Sequence, residues 1–301
     1  MVFIKITEFL CPGIKGHINI NFVDVKKDDD NLIFLDPCLI SQNTDRWSIK
    51  AQKVIDSFFK ELYRLYRCDS SYSEKLDFFA HCHEINATKT GYGTGTNGKA
   101  KTAEGMIETF SGLPDLIRKG IKMKEPHDLT LFVERFGEDC LSDVLTNVLV
   151  EVLMEFTIEQ CKLWNYPTSK APKGFFFWSI EGNKWVEYSG ECLIIEGEVI
   201  LLLPKNLIRH RYGFGVGNYL SAVILSHLQD EESTVDVHGK VFRPTKKSLK
   251  EKHLENFSAR EYVTEVTAKK PIYLEEYRRI LPLQYRDKQL TDSDLDMLIY
   301  N

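Results

Sequence analysis

The chain has 301 residues, of which 43% are hydrophobic and 28% charged, a composition typical of folded proteins and far from the disordered and fibrous classes. Its length suits one large domain or two ordinary ones. A formal net charge of -5 excludes a general polyanion-coating protein, which needs surplus Lys and Arg, but leaves room for a local basic groove. No run of about 18 apolar residues occurs, so no membrane span is expected. The opening Met1-Val2-Phe3-Ile4-Lys5 lacks a basic region followed by an apolar core, so no secretion signal is expected either. The seven cysteines are odd in number and show no CxxC spacing, which points to free thiols in a reducing cytoplasm.

In chain order, residues 3–25 and 32–40 read as strands around the charged tip Lys26-Lys27-Asp28-Asp29-Asp30-Asn31. Residues 47–67 read as a helix, because Trp47, Val54, Ile55, Phe58, Phe59, Leu62, Leu65 and Tyr66 recur at helical spacing. Residues 86–102, with Gly91, Gly93, Gly95 and Gly98, read as a loop. A short helix runs from Glu104 to near Pro114, and 129–136 reads as a strand closed by Gly137. Over 141–164 an unbroken apolar face from Leu141 to Phe156 predicts one long amphipathic helix, capped by Asp139 or Ser142. Three strand-like runs follow, Phe175–Ile180, Lys184–Tyr188 and Val199–Leu203, separated by turns at Glu181-Gly182-Asn183 and Glu196-Gly197. Residues 217–229 read as helical. The charged tail reads as helical in patches, with breaks at Pro271 and Pro282. The expected class is α+β: a mixed sheet flanked by helices, with a long central helix and a helical C-terminal tail. The expected regions are 1–125, 126–230 and 231–301.

Chemistry has several candidate seats. Asp143, Asn147, Glu151 and Glu155 are spaced four apart on the long helix, with Glu138 and Asp139 just before it. Clustered carboxylates of this kind suit Mg²⁺. Lys205 leaves an apolar strand at its end, where an ammonium can steady a phosphate. In the glycine-rich loop, backbone amides together with Lys89, Lys99 and Lys101 suit an oxyanion, and Tyr92 suits stacking on a base. The loop is not a Walker loop, since Gly98-Lys99-Ala100 lacks the hydroxyl. Arg209 and Arg211 belong to a basic-aromatic patch, Arg209-His210-Arg211-Tyr212-Gly213-Phe214-Gly215, that suits a phosphate backbone. Asp36, in a strand-end Asp-Pro, is an alternative acid.

The order helix, strand, strand, strand, helix over 141–229 resembles the core of the PD-(D/E)XK nuclease superfamily. That resemblance implies phosphodiester cleavage with Mg²⁺ held by Asp139, Asp143 and Glu187, and with Asp143, Glu187 and Lys205 as the catalytic set. It also implies an acid two residues before the lysine, where this chain has Leu203. The run Thr130-Leu131-Phe132-Val133-Glu134 followed by Asp139 and Asp143 is similar to the start of a Toprim domain, although Arg135 replaces the glycine usual after that Glu. The set Phe34-Leu35-Asp36-Pro37, Glu84 with the glycine-rich loop, Phe136 to Asp143, and Leu202-Leu203-Pro204-Lys205 looks like an uncharacterised bacterial family from restriction and phage-defence neighbourhoods. The expectation is therefore a Mg²⁺-dependent nuclease-like defence component. Its alternative is a non-catalytic subunit that binds nucleic acid or a protein partner such as an ATPase or helicase.

Overall fold

The computed structural model describes residues 4–83, 85–92, 102–285 and 289–300. The N-terminal 3–25 stretch does not form one strand. Glu8 accepts the Lys5 N–H at 3.1 Å and starts helix α1 (Ile6–Leu10), followed by a 3-10 turn at His17–Asn19. Only the end of the stretch is extended, with the Val23 N–H bonded to the Leu203 carbonyl at 2.9 Å. The expected strand 32–40 shrinks to β1 (Phe34–Leu35), because Asp36 caps helix α2 (Pro37–Gln42) and Pro37 fits its first turn.

Helix α3 (Arg46–Arg67) matches its periodicity closely. Asp45 caps it, and its apolar stripe enters the core. Short helices follow: α4 (Tyr72–Phe79), α5 (Ala103–Thr109) and α6 (Leu113–Arg118). The run at 129–136, expected as a strand, instead ends helix α7 (Pro126–Phe132) and turns after it. Pro126 opens α7, and Asp128 Oδ2 accepts the Lys124 and Glu125 N–H groups at 2.7 and 2.9 Å. Every residue of α7 is buried, so no solvent-exposed polar stripe marks it as a helix.

The expected long helix is two helices, α8 (Glu138–Val148) and α9 (Val150–Leu163), interrupted at Leu149. Leu149 sits between β-branched Val148 and Val150, residues that weaken helix propagation. Gly137 occupies the N-cap. Ser142 is engaged elsewhere, accepting the Leu35 N–H at 3.0 Å.

The strands form small antiparallel sheets among the helices, consistent with the α+β class. One sheet is β2 (Ser169–Lys170), β5 (Glu191–Ile195) and β6 (Glu198–Ile200); β3 (Phe176–Ser179) pairs with β4 (Lys184–Glu187). Strand β5 was not expected from sequence. The β5–β6 turn places Glu196 at φ 49° and Gly197 at φ 87°, the geometry of a tight two-residue hairpin. Strand β7 (Ile208–Arg209) pairs antiparallel with β1.

Helix α10 (Val216–Tyr219), a π-turn at Leu220–Ile224 and α11 (Leu225–Glu231) form one continuous helical run. A hairpin of β8 (Thr234–Val235) and β9 (Val241–Phe242) follows. The chain ends in α12 (Lys246–His253), α13 (Ala259–Lys269), α14 (Ile272–Tyr285) and α15 (Asp292–Tyr300). These last helices pack back on the earlier chain. Arg278 of α14 clamps the fully buried Asp128 at 2.6 Å, and Asp296 of α15 accepts from His17 Nδ1 at 2.7 Å. An aromatic knot joins the β3–β4 hairpin to α3 and α4. Phe58 stacks on Phe78 at 4.6 Å and meets Trp178 edge-on at 5.2 Å. No helix among the described residues is long and apolar enough to cross a membrane.

Candidate functional site

The residues expected to form a metal-dependent centre are placed as follows. Glu187 is exposed at the end of β4, where it accepts the Gly174 N–H at 3.0 Å. Lys205 opens a 3-10 turn, and its Nζ reaches the His17 carbonyl at 2.7 Å and Asp292 at 2.5 Å. Glu187 and Lys205 share no partner, and β4 and β6 belong to different sheets. The single sheet that would bring an acid strand beside a lysine strand is therefore not formed. Asp139 and Asp143 are half-buried on α8, and a Cβ at Gly91 would sit 3.5 Å from Asp139 Oδ1. Glu151 and Glu155 pair with Lys50 of α3, and Asn147 turns inward to donate to the His83 carbonyl at 2.5 Å. Among the described residues, no group of three or more His, Cys, Asp and Glu side chains is placed to hold a metal ion.

Of the expected substrate contacts, Lys89 is buried and paired with Glu198 at 2.8 Å. Lys99 and Lys101 lie outside the described residues, as does Glu84. Tyr92 is brought to the basic-aromatic patch. Glu138 accepts the Tyr92 hydroxyl at 2.6 Å and the Tyr212 N–H at 2.9 Å, while Arg211 stays exposed. The patch leaves β7 in extended form.

The feature that does call for a chemical explanation lies under that patch. Side chains alternate along a strand, so Phe34 and Asp36 point to one face of the β1–β7 ladder. Arg209 is paired opposite Phe34 and shares that face, diagonal to Asp36. The Asp36 N–H bonds to the Leu207 carbonyl at 2.9 Å, which holds the register past the end of β1. Asp36 Oδ1 accepts the Cys38 N–H at 2.8 Å. Its other oxygen, Oδ2, is buried without a hydrogen-bond partner among the described residues. So are Arg209 Nη1 and His127 Nε2. His127 comes from α7 and directs Nδ1 at Cys38 Sγ, 3.8 Å away. Tyr285 of α14 closes the group: the Arg209 guanidinium lies 4.8 Å from its ring centre, and its hydroxyl accepts the Gly213 N–H at 2.7 Å.

Burial is extreme here, with Asp36 0% and His127 8% exposed. Burial pushes the Asp36 carboxyl up, to about 6, against the opposing pull of the Cys38 amide, Tyr285 and Arg209. The Tyr285 hydroxyl is close enough to favour the charged carboxylate without meeting Oδ2 in an aligned hydrogen bond. Burial likewise lowers the His127 pKa, leaving a neutral imidazole, and raises the Cys38 thiol well above its ordinary range. The thiol is thus protonated and poorly nucleophilic. Leaving a buried polar atom unpaired costs about 1–3 kcal/mol. Such atoms on the neighbouring Asp36 and Arg209 are expensive for a purely structural pair, and perturbed titratable groups gather at working sites.

Sequence reasoning named Asp36 and Arg209 separately, but gave no sign that they meet. His127 and Tyr285 carried no signal at all, because both come from distant helices and sit in apolar surroundings.

The family model described as a domain of unknown function (DUF8370) matches residues 13–214, more than half of the chain, and the chain belongs to that family. Asp36, Cys38, His127 and Arg209 fall inside the matched span, and Tyr285 lies beyond it. No curated protein and no solved structure matches the chain.

Proposed function

We propose that the chain acts on a phosphoryl group of a nucleic acid or nucleotide, and that the buried Asp36–Arg209 cluster is the working centre. One observation carries the reading: Asp36 and Arg209, neighbours at the end of the β1–β7 ladder, each hold a buried polar atom without a hydrogen-bond partner among the described residues. The half-buried Arg209 guanidinium stabilises charge on a phosphoryl oxygen better than it would in water. A carboxyl that titrates at about 6 is matched to giving a proton to a leaving oxygen near neutral pH. His127 presents Nε2 as donor or acceptor, according to its tautomer. The exposed Arg211 and the nearby Tyr92 lie where a nucleic-acid strand would approach.

The test is cleavage of single-stranded DNA, plasmid DNA and RNA, with and without added Mg²⁺. Arg209→Gln and Asp36→Asn are compared with Glu187→Gln. This reading expects a loss of about 10²–10³ in rate for the first two, the scale of losing one charge-stabilising group, and near-normal activity for Glu187→Gln. Loss in Glu187→Gln with retention in Arg209→Gln would return the site to the β4 carboxylate.

A second reading, attachment to a protein partner, is favoured by the β8–β9 hairpin. Val235, Val237, Val241 and Phe242 there are 65, 94, 61 and 50% exposed. Sedimentation of the wild type and of Phe242→Lys over a concentration series tests it for self-association. Identical, purely monomeric profiles would remove that form of it.

A further inference from the structure

The ladder geometry of β1 and β7 puts Asp36 diagonal to Arg209 on one face, and each keeps a buried side-chain atom, Oδ2 and Nη1, without a hydrogen-bond partner among the described residues. In this state the two charges compensate each other. An incoming oxyanion gains Arg209 but meets the negative charge of Asp36 in a low-dielectric site, where like-charge repulsion is strong. A proton on Asp36 resolves the conflict. It removes the repulsion and turns Oδ2 from an acceptor into an O–H donor aimed at the ligand. We propose that the Asp36–Arg209 cluster is a proton-coupled oxyanion site, which takes up a tetrahedral oxyanion such as phosphate, sulfate or a phosphoryl group together with one proton that settles on Asp36.

The surroundings leave Asp36 as the group that titrates with the ligand. On its own helix, Cys38 is a protonated thiol. From β7 and the segment after it come Arg209 and Tyr212, and from α14 Tyr285 and Tyr277; all three phenols are raised above their ordinary range. From α7, His127 is neutral and Asp128 is locked to Arg278, while Glu125 is raised by burial. At the start of α3, Asp45 is spent on Trp47, Ser48 and Asn206; Arg46 and Lys50 pair with Glu159, Glu151 and Glu155 of α9. Lys205, on the 3-10 turn that packs against α2, is tied to Asp292. The Asp36 carboxyl at about 6 places the proton-coupled range just above that pH.

This inference rests on the same cluster as the function proposed above, but its test needs no turnover. Sulfate stays a dianion throughout, so any proton taken up belongs to the protein. Isothermal titration of the full chain with sulfate, from pH 5.5 to 8 in two buffers of different ionisation enthalpy, counts the protons. The expected result is uptake approaching one proton per sulfate at pH 7.5, with affinity falling about tenfold per pH unit above 6. Asp36→Asn binds with no pH dependence over this range, Arg209→Gln does not bind, and Arg209→Lys, which keeps the charge, binds more weakly. Binding without proton uptake, binding that survives Arg209→Gln, or no binding at any pH overturns the inference. Proton-coupled sulfate binding without any cleavage of nucleic acid would instead defeat only the proposed function. Thermal melts of each variant confirm that it is folded.

Discussion

Asp36→Asn gives the sharpest stability test, because it changes charge while nearly conserving shape. The amide oxygen of Asn can still accept the Cys38 N–H that Asp36 Oδ1 now takes at 2.8 Å, and Asn is as good a helix cap as Asp. The native carboxyl titrates at about 6 against an ordinary 3.8. At about 1.4 kcal/mol per pH unit, the folded protein holds this proton more tightly than the unfolded chain by about 3 kcal/mol. Between pH 3.8 and 6 the unfolded chain has released the proton and the folded chain has not. Wild-type stability from this group therefore falls as pH rises through that window and is flat above it. The neutral Asn variant lacks the effect. Urea unfolding of both proteins at pH 4, 5, 6, 7 and 8 should show the variant gaining on the wild type by up to about 3 kcal/mol between pH 4 and 7, then running parallel. A constant offset from the Asn amide group is expected and does not affect the slope. Parallel curves at every pH, or a wild type that gains on the variant as pH rises, would refute the claim that Asp36 is buried with its charge incompletely satisfied.

Other contacts predict equally specific outcomes. Arg278→Leu leaves the 0% exposed Asp128 without its guanidinium and should cost about 3–5 kcal/mol in chemical denaturation, much of it recovered in the double variant with Asp128→Asn. Asp296→Ala removes the acceptor of both the His17 N–H and the His17 ring. It should cost about 1–3 kcal/mol and speed hydrogen exchange across α15 before the rest of the chain. Phe58→Ala opens the aromatic knot between α3 and the β3–β4 hairpin and should lower stability by about 3–5 kcal/mol with little effect on sulfate affinity.

The sequence was most readable where an element has one wet face. Helix α3 shows a clear stripe because its opposite face is solvated, and Asp45 marks its start. The Glu196-Gly197 turn is equally plain, since the glycine takes its left-handed backbone, φ 87°, without cost. Legibility failed where burial is complete. Helix α7 is buried all round, its His127 and Asp128 included, so its Leu-Thr-Leu-Phe run passes for a strand. The break at Leu149 leaves no trace in an unbroken apolar pattern.

The candidate site was hidden for a different reason. Asp36 looks like a turn residue and Cys38 like packing. Their partners arrive from 89 residues away, in His127, and from the far end of the chain, in Tyr285. Spacing along a helix or strand cannot report such encounters. Lys205 misled in the opposite way: its place after an apolar strand suggested chemistry, whereas it ties α15 to the N-terminal segment.

A crystal of the full chain grown near pH 5.5 and soaked in phosphate would show whether the cluster holds an oxyanion. A tetrahedral ion bridging Asp36 Oδ2 and Arg209 Nη1 is the expected result. An ion bound only beside Glu187 or Lys205, or a direct carboxylate–guanidinium contact that leaves no room for one, would contradict it.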